Sequence, residues 1–145
     1  MDRRDFFSAS IGAAVLAFGA ADALAQQSHD HGTRGAQYAK LATTAADCVL
    51  RGQECLDHCI SLVKSGDTSI ADCMKSVEEL IAACAGLRVL TISNSKNLRD
   101  FARAVQPICQ ACETECRKHA GKHAKCKACG ESCTACIDAI RASFA

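Results

Sequence analysis

Twelve cysteines in a chain of 145 residues, set in four runs at helical spacing, constrain this sequence more than any other feature. At about 100° per residue, Cys48, Cys55 and Cys59 fall within about 40° on one helix, and Cys73 and Cys84 within about 20° on a second. Cys109, Cys112 and Cys116 span about 60° on a third, and Cys126, Cys129, Cys133 and Cys136 about 80° on a fourth. Leu41, Val77, Leu80, Leu87, Leu98, Phe101, Val105 and Ile140 continue the same spacing. Each stripe is therefore apolar and faces a core.

The surrounding sequence suits helices. Ala, Leu, Lys, Glu and Arg dominate, the single proline is Pro107, and nothing alternates like a strand. Turn-like clusters at Gly66-Asp67, Ser93-Asn94-Ser95 and Ala120-Gly121-Lys122-His123 divide the chain into helices over 36–65, 68–91, 96–119 and 123–143. Ser69 with Asp72 marks the start of the second helix. Pro107 should kink the third or give its second half an irregular start. Short loops make consecutive helices antiparallel, so the expected fold is an all-α, antiparallel four-helix bundle with a cysteine-lined core.

Reflecting each helix pair about its loop brings thiols to common heights: Cys59 with Cys73, Cys48 with Cys84, Cys116 with Cys126, Cys112 with Cys129 and Cys109 with Cys133. The thiols then occupy about 20 Å of the bundle axis. Leu87, Leu98, Phe101 and Ile140 close the far end, which makes a tube lined with sulfur at one end and plugged with hydrocarbon at the other.

The N-terminus reads as an address label. Arg3 and Arg4 precede Phe6 and Phe7, a mild apolar stretch runs from Ser8 to Ala21, and Ala23-Leu24-Ala25 has the small-x-small form of a cleavage site. This pattern points to a twin-arginine export signal over 1–25, with the protein destined for the periplasm or an associated internal-membrane lumen. The stretch is too short and too broken by Gly12, Gly19 and Asp22 to anchor in a bilayer, so no membrane span is expected after cleavage. Residues 26–35 are polar and read as a flexible arm, and 36–145 as the bundle. Cleavage keeps every cysteine and leaves Tyr38, Phe101 and Phe144 as the remaining aromatics, so cysteine must fill core volume that large side chains usually occupy.

Several chemistries compete for the stripes. A disulfide scaffold is the default for a short exported chain this rich in Cys. Disulfide frameworks, however, staple loop-rich folds, and thiols seven residues apart on one helix are about 10.5 Å from each other. Cys109-x-x-Cys112 and Cys126-x-x-Cys129 look like zinc ligand pairs, but structural zinc takes four converging ligands and then no more. The run from Cys126 to Cys136 lacks both the spacing and the following proline of a ferredoxin cluster. Cu(I) is soft, favours thiolate and accepts low coordination numbers, so a stripe of shared sulfurs can hold a row of ions. Metal and thiolate charges then neutralise one another in the core. A disulfide-stapled or zinc-binding bundle is the alternative.

Further motifs lie along nearly the whole chain: Gly35-Ala36-Gln37-Tyr38, Cys55-Leu56-Asp57-His58-Cys59, Ala82-Ala83-Cys84, Cys109-Gln110-Ala111-Cys112 with Cys116, and Cys126-Lys127-Ala128-Cys129-Gly130-Glu131-Ser132-Cys133-Thr134-Ala135-Cys136. With the leader, they resemble the exported four-helix-bundle copper storage proteins of methane-oxidising and other bacteria. The resemblance implies many Cu(I) ions per bundle, a homotetramer, and a copper enzyme such as a methane monooxygenase, or a chaperone, as recipient. Two positions depart from the family pattern: Ile140 stands one turn after Cys136, where a further stripe cysteine would sit, and Met74 is the one methionine beyond the leader.

His119 lies one turn beyond Cys116 and His123 one turn before Cys126, which makes both candidate mouth ligands at the thiol-rich end. His58 lies about 100° off the Cys59 direction and reads as a surface or helix-interface residue. His29 and His31 fall in the arm. A net charge of +1 gives no electrostatic case for nucleic acid. No serine-histidine-acid set or carboxylate pair points at the thiols, and no CxxC opens a helix beside a strand, so an enzyme is not expected.

Overall fold

A computed structural model describes residues 38–145. The expected leader and arm, residues 1–37, lie outside the described residues. The chain forms α1 (Ala39–Lys64), a 3-10 turn (Thr68–Ile70), α2 (Ala71–Ile92), α3 (Leu98–His119) and α4 (Ala124–Phe144). Each helix packs along the one that precedes it and α1 packs along α4, which closes an all-α, four-helix bundle. Among the described residues, no helix is long and apolar enough to cross a membrane.

The loops show why the helices stop where they do. Gly66 adopts φ 96° and Asn94 φ 49°. Both lie just past a helix end, where a left-handed residue turns the chain and where Gly and Asn cost least. The helix start assigned to Ser69 and Asp72 is corrected. Asp67 caps the 3-10 turn, its Oδ1 accepting the Ser69 backbone N–H at 3.0 Å and the Ser69 hydroxyl at 2.6 Å. The α-helix follows from Ala71. α3 runs unbroken through Pro107, so its second half has no irregular start. Pro107 is exposed, so water can satisfy the carbonyl that its missing N–H leaves unpaired.

The core is a column of small side chains. All 12 cysteines are buried, together with Leu41, Ala45, Ile70, Val77, Leu80, Leu87, Ala102 and Val105. Such a lining lets the helices approach closely. A Cβ on Gly52 of α1 would stand 2.7 Å from Ile81 Cγ1 of α2, and one on Gly86 of α2 would stand 3.0 Å from Phe101 Cζ of α3. At the end away from the loops at 66 and 121, Leu87, Leu98 and Ile140 are buried with Leu41. Tyr38 and Phe144 stack there with ring centroids 5.7 Å apart, and Arg99 lies 5.7 Å above the Phe144 ring.

This core is apolar before any metal arrives, because an un-ionised thiol packs as a small hydrophobe. The reduced, metal-free protein should therefore show a helical far-UV circular dichroism spectrum, with little further gain on metal addition. A coil-to-helix transition on metal binding would contradict it. Gly52→Ala gains about 0.5–1 kcal/mol in helix propensity but overpacks the α1–α2 contact, which costs about 1–3 kcal/mol. It should lower the thermal midpoint without changing the helical spectrum.

Candidate metal centre

Four helices each contribute one stripe, and the stripes meet on the bundle axis. Cys55, Cys59, Cys73 and Cys126 form a group whose sulfurs all lie within 4.8 Å of one another. Further groups of the same dimension are Cys55, Cys116 and Cys129; Cys112, Cys129 and Cys133; and Cys48, Cys84 and Cys136. Cys109 stands 3.9 Å from Cys84. The structure thus brings together every cysteine singled out in the sequence. The groups overlap, because Cys55 and Cys129 each belong to two of them.

The sulfurs touch without bonding. Cys73 and Cys116 are 3.7 Å apart, Cys55 and Cys126 3.8 Å, and Cys112 is 3.9 Å from both Cys116 and Cys129. A disulfide requires about 2.05 Å, and all 12 cysteines are free. Most buried thiols meet other thiols, while Cys48 donates to the Ser132 carbonyl at 3.2 Å.

Expected levels and observed contacts agree for Cys59 with Cys73, Cys48 with Cys84 and Cys112 with Cys129. Between α3 and α4 the sulfurs interleave instead of facing one to one. Cys112 sits against both Cys129 and Cys133, and Cys116 joins Cys129 and Cys55. Cys116 and Cys126, and likewise Cys109 and Cys133, matched in height by reflection, fall in no common sulfur group. Side chains that fill the gaps between two residues of a facing helix pack more densely than side chains meeting end on.

The thiols are chemically unequal. The neighbouring thiols of Cys109, Cys48 and Cys84 hold Cys136 below the ordinary thiol range. Cys129 is held low by Cys112, Cys116 and Cys133, and Cys73 by Cys116, Cys126, Cys55 and Cys59. Contact with Cys55 and then Cys59 lowers Cys126. The partners move the other way: contact with Cys109 pushes Cys84 up, and contact with Cys112 pushes up both Cys133 and Cys116. Burial adds to each rise. Neighbouring sulfurs are thus unequal proton holders, and each lowered thiol lies among thiols that can donate to its thiolate once a soft cation displaces its proton.

The histidines among the described residues gather at one end. His119 and His123 stand there as expected, with ring centroids 6.4 Å apart. His58 occupies the α1–α4 interface, half-buried, with its Nε2 3.0 Å from His123 Nδ1. Of the two sequence readings of His58, surface or helix interface, the second holds, but its partner is missed there because no loop joins α1 to α4 and sets their relative height. The signal was present: the Cys55–Cys126 contact sets the α1–α4 register, and three residues onward from one and back from the other lie His58 and His123.

Comparison with known proteins agrees with this architecture. A family profile described as "Csp: Copper storage protein" matches residues 34–145. The uncharacterized cysteine-rich protein YhjQ of Bacillus subtilis is 27% identical over 110 residues, covering 75% of this chain and 98% of its own length. The copper storage protein Ccsp from Streptomyces lividans, solved with 10 copper equivalents, superposes with a TM-score of 0.69 at 23% identity, over 75% of this chain and 84% of that one. A second structure from that organism, of a cytosolic copper storage protein with five coppers, gives 0.68 at 24% identity over 78% and 96%. The Cu(I)-bound copper storage protein BsCsp3 gives 0.66 at 23% over 75% and 99%. The solved structures share this chain's fold.

A thiol must lose its proton to bind metal, so protons and a thiophilic cation compete and affinity falls as pH falls. Because both thiols are protonated before metal arrives, a two-sulfur site should release about two protons per ion, which is roughly a hundredfold loss of affinity per pH unit. Chelator competition for Cu(I) between pH 8 and 6 checks this. A flat profile would show that the thiols ionise together before metal binds.

Proposed function

Because this chain belongs to the copper storage protein (Csp) family, we propose that it stores a row of Cu(I) ions along its sulfur-lined axis. The observation that carries this reading is the overlap of the sulfur groups through Cys55 and Cys129. A structural zinc site is closed by its four ligands, and a sulfur shared between neighbouring groups defeats that isolation. Cu(I) accepts two or three thiolates and lets one sulfur bridge two ions, so overlapping groups become linked sites.

On this reading Cys48, Cys55, Cys59, Cys73, Cys84, Cys109, Cys112, Cys116, Cys126, Cys129, Cys133 and Cys136 are the ligands. The thiolates provide negative charge only as positive ions arrive, so the buried column stays near neutral at each stage of filling. His119 and His123 serve the thiol-rich end, where copper enters and leaves. The arginine pair and Ala23-Leu24-Ala25 direct export and cleavage, and 36–145 form the storage domain. The assembly is a homotetramer, and its copper passes to a copper enzyme or a chaperone in the same compartment. One structural relative is described as cytosolic, so this leader would place the chain in the other arm of the family.

Anaerobic Cu(I) titration of the reduced protein against a chromogenic chelator tests storage directly. Shared sulfurs should give roughly 10 to 14 ions per chain, whereas isolated two-thiolate sites would give about 6. Saturation at one or two ions would defeat the proposal.

Direction is testable with two double variants. His119→Ala with His123→Ala should slow loading and chelator removal, with the final stoichiometry set by the interior sulfurs. Cys48→Ser with Cys84→Ser, at the deep end, should lower capacity by about two ions and leave the initial uptake rate as it was. Equal effects on rate and capacity would show that the tube has no polarity.

A further inference from the structure

Storage of Cu(I) assigns no task to the contact between His58 and His123. Their facing nitrogens are 3.0 Å apart and their ring centroids 4.9 Å. That separation fits an imidazole hydrogen bond. It also fits two nitrogens bound at right angles to one metal ion, which at a bond length of about 2.0 Å lie about 2.8 Å apart. Imidazole nitrogens suit Cu(II) in tetragonal geometry, whereas thiolates select Cu(I). The same end of the bundle therefore presents ligands for both oxidation states. His58 adjoins Cys59 in sequence, and His123 lies one turn before Cys126. Those two sulfurs belong to the group with Cys55 and Cys73, all within 4.8 Å. Two cross-helix thiol pairs sit at this level, Cys73 with Cys116 at 3.7 Å and Cys55 with Cys126 at 3.8 Å.

We propose that the histidine end is a single-turnover cupric-ion reduction site, in which His58 and His123 capture Cu(II) and the adjacent thiol pairs reduce it. Two Cu(II) ions are the oxidant and each gains one electron. Two thiols supply those electrons, lose their protons to solvent and join as one disulfide. Two Cu(II) and two thiols thus give two Cu(I), one disulfide and two protons. The sulfurs of the pair close from 3.7 or 3.8 Å to about 2.05 Å, a movement within reach of side-chain rotation. Each Cu(I) then leaves the imidazoles for the remaining thiols, which prefer it. Only this last transfer rests on the storage reading. The site would let the protein accept copper in the form that an oxidising compartment supplies, at the cost of two ligands.

The test is anaerobic mixing of the reduced, metal-free protein with two equivalents of Cu(II) sulfate, followed by electron paramagnetic resonance and by thiol counting after copper removal. The Cu(II) signal should vanish, with one thiol lost per ion. His58→Ala with His123→Ala should slow that loss by about tenfold or more, and added free imidazole should restore it. In protein already filled with Cu(I), added Cu(II) should give a nitrogen-coordinated signal that the double variant lacks. An unchanged rate in the double variant, no rescue by imidazole, or a persistent Cu(II) signal with all thiols intact would overturn the proposal. Cu(I) titration of the same preparations keeps the two readings apart. A chain that fills with Cu(I) but leaves Cu(II) unreduced fails here alone, and one that reduces Cu(II) but saturates at one or two Cu(I) fails as a store.

Discussion

Burying a dozen thiols in one core is possible because a thiol is an apolar group until it ionises. The rest of the structure depends on that double character. Protonated, the sulfurs of the four stripes fill space and hold the helices together as Ala or Val would. Ionised, they would form a column of buried negative charge that no fold of this size could carry without counter-ions. Gain of metal and loss of protons are therefore one event here, and the helical frame has no need to rearrange around it.

Close approach of the helices is the second requirement. The four sulfurs of Cys55, Cys59, Cys73 and Cys126 come from three different helices and still lie within 4.8 Å of one another. Larger residues on the same stripes would push the axes apart. Gly52 and Gly86 mark where approach is tightest, facing Ile81 and Phe101 across the helix seams. The scarcity of aromatic residues belongs to the same design: Phe101 lies beyond the sulfurs against Gly86, and Phe144 lies at the helix ends against Tyr38.

The sequence made the helices and their inward faces legible because the apolar period and the cysteine period coincide. The α1, α3 and α4 boundaries fall within a few residues of those expected, since Gly66, Asn94 and the turn at 120–123 leave clear marks. The second helix start was misread because Asp67, not Ser69, has the backbone geometry to accept the first free N–H. The site was legible as a list of core-facing cysteines and less so as a set of contacts. Reflection about a loop gives height only to within about a residue, and a residue of error decides whether Cys116 meets Cys126 or Cys129. His58 escaped because its partner lies on a helix far from it in sequence, where no loop supplies a reference.

Cys55 and Cys129 each lie in two sulfur groups, while Cys109 completes none of them. A change at Cys109 leaves every group complete, whereas a change at Cys55 or Cys129 removes a member from two groups at once and unlinks them. The chain's tolerance of cysteine loss is therefore uneven. As such sequences drift, single cysteines at the periphery can be lost, but these two junctions are the positions through which the three joined groups have to be inherited.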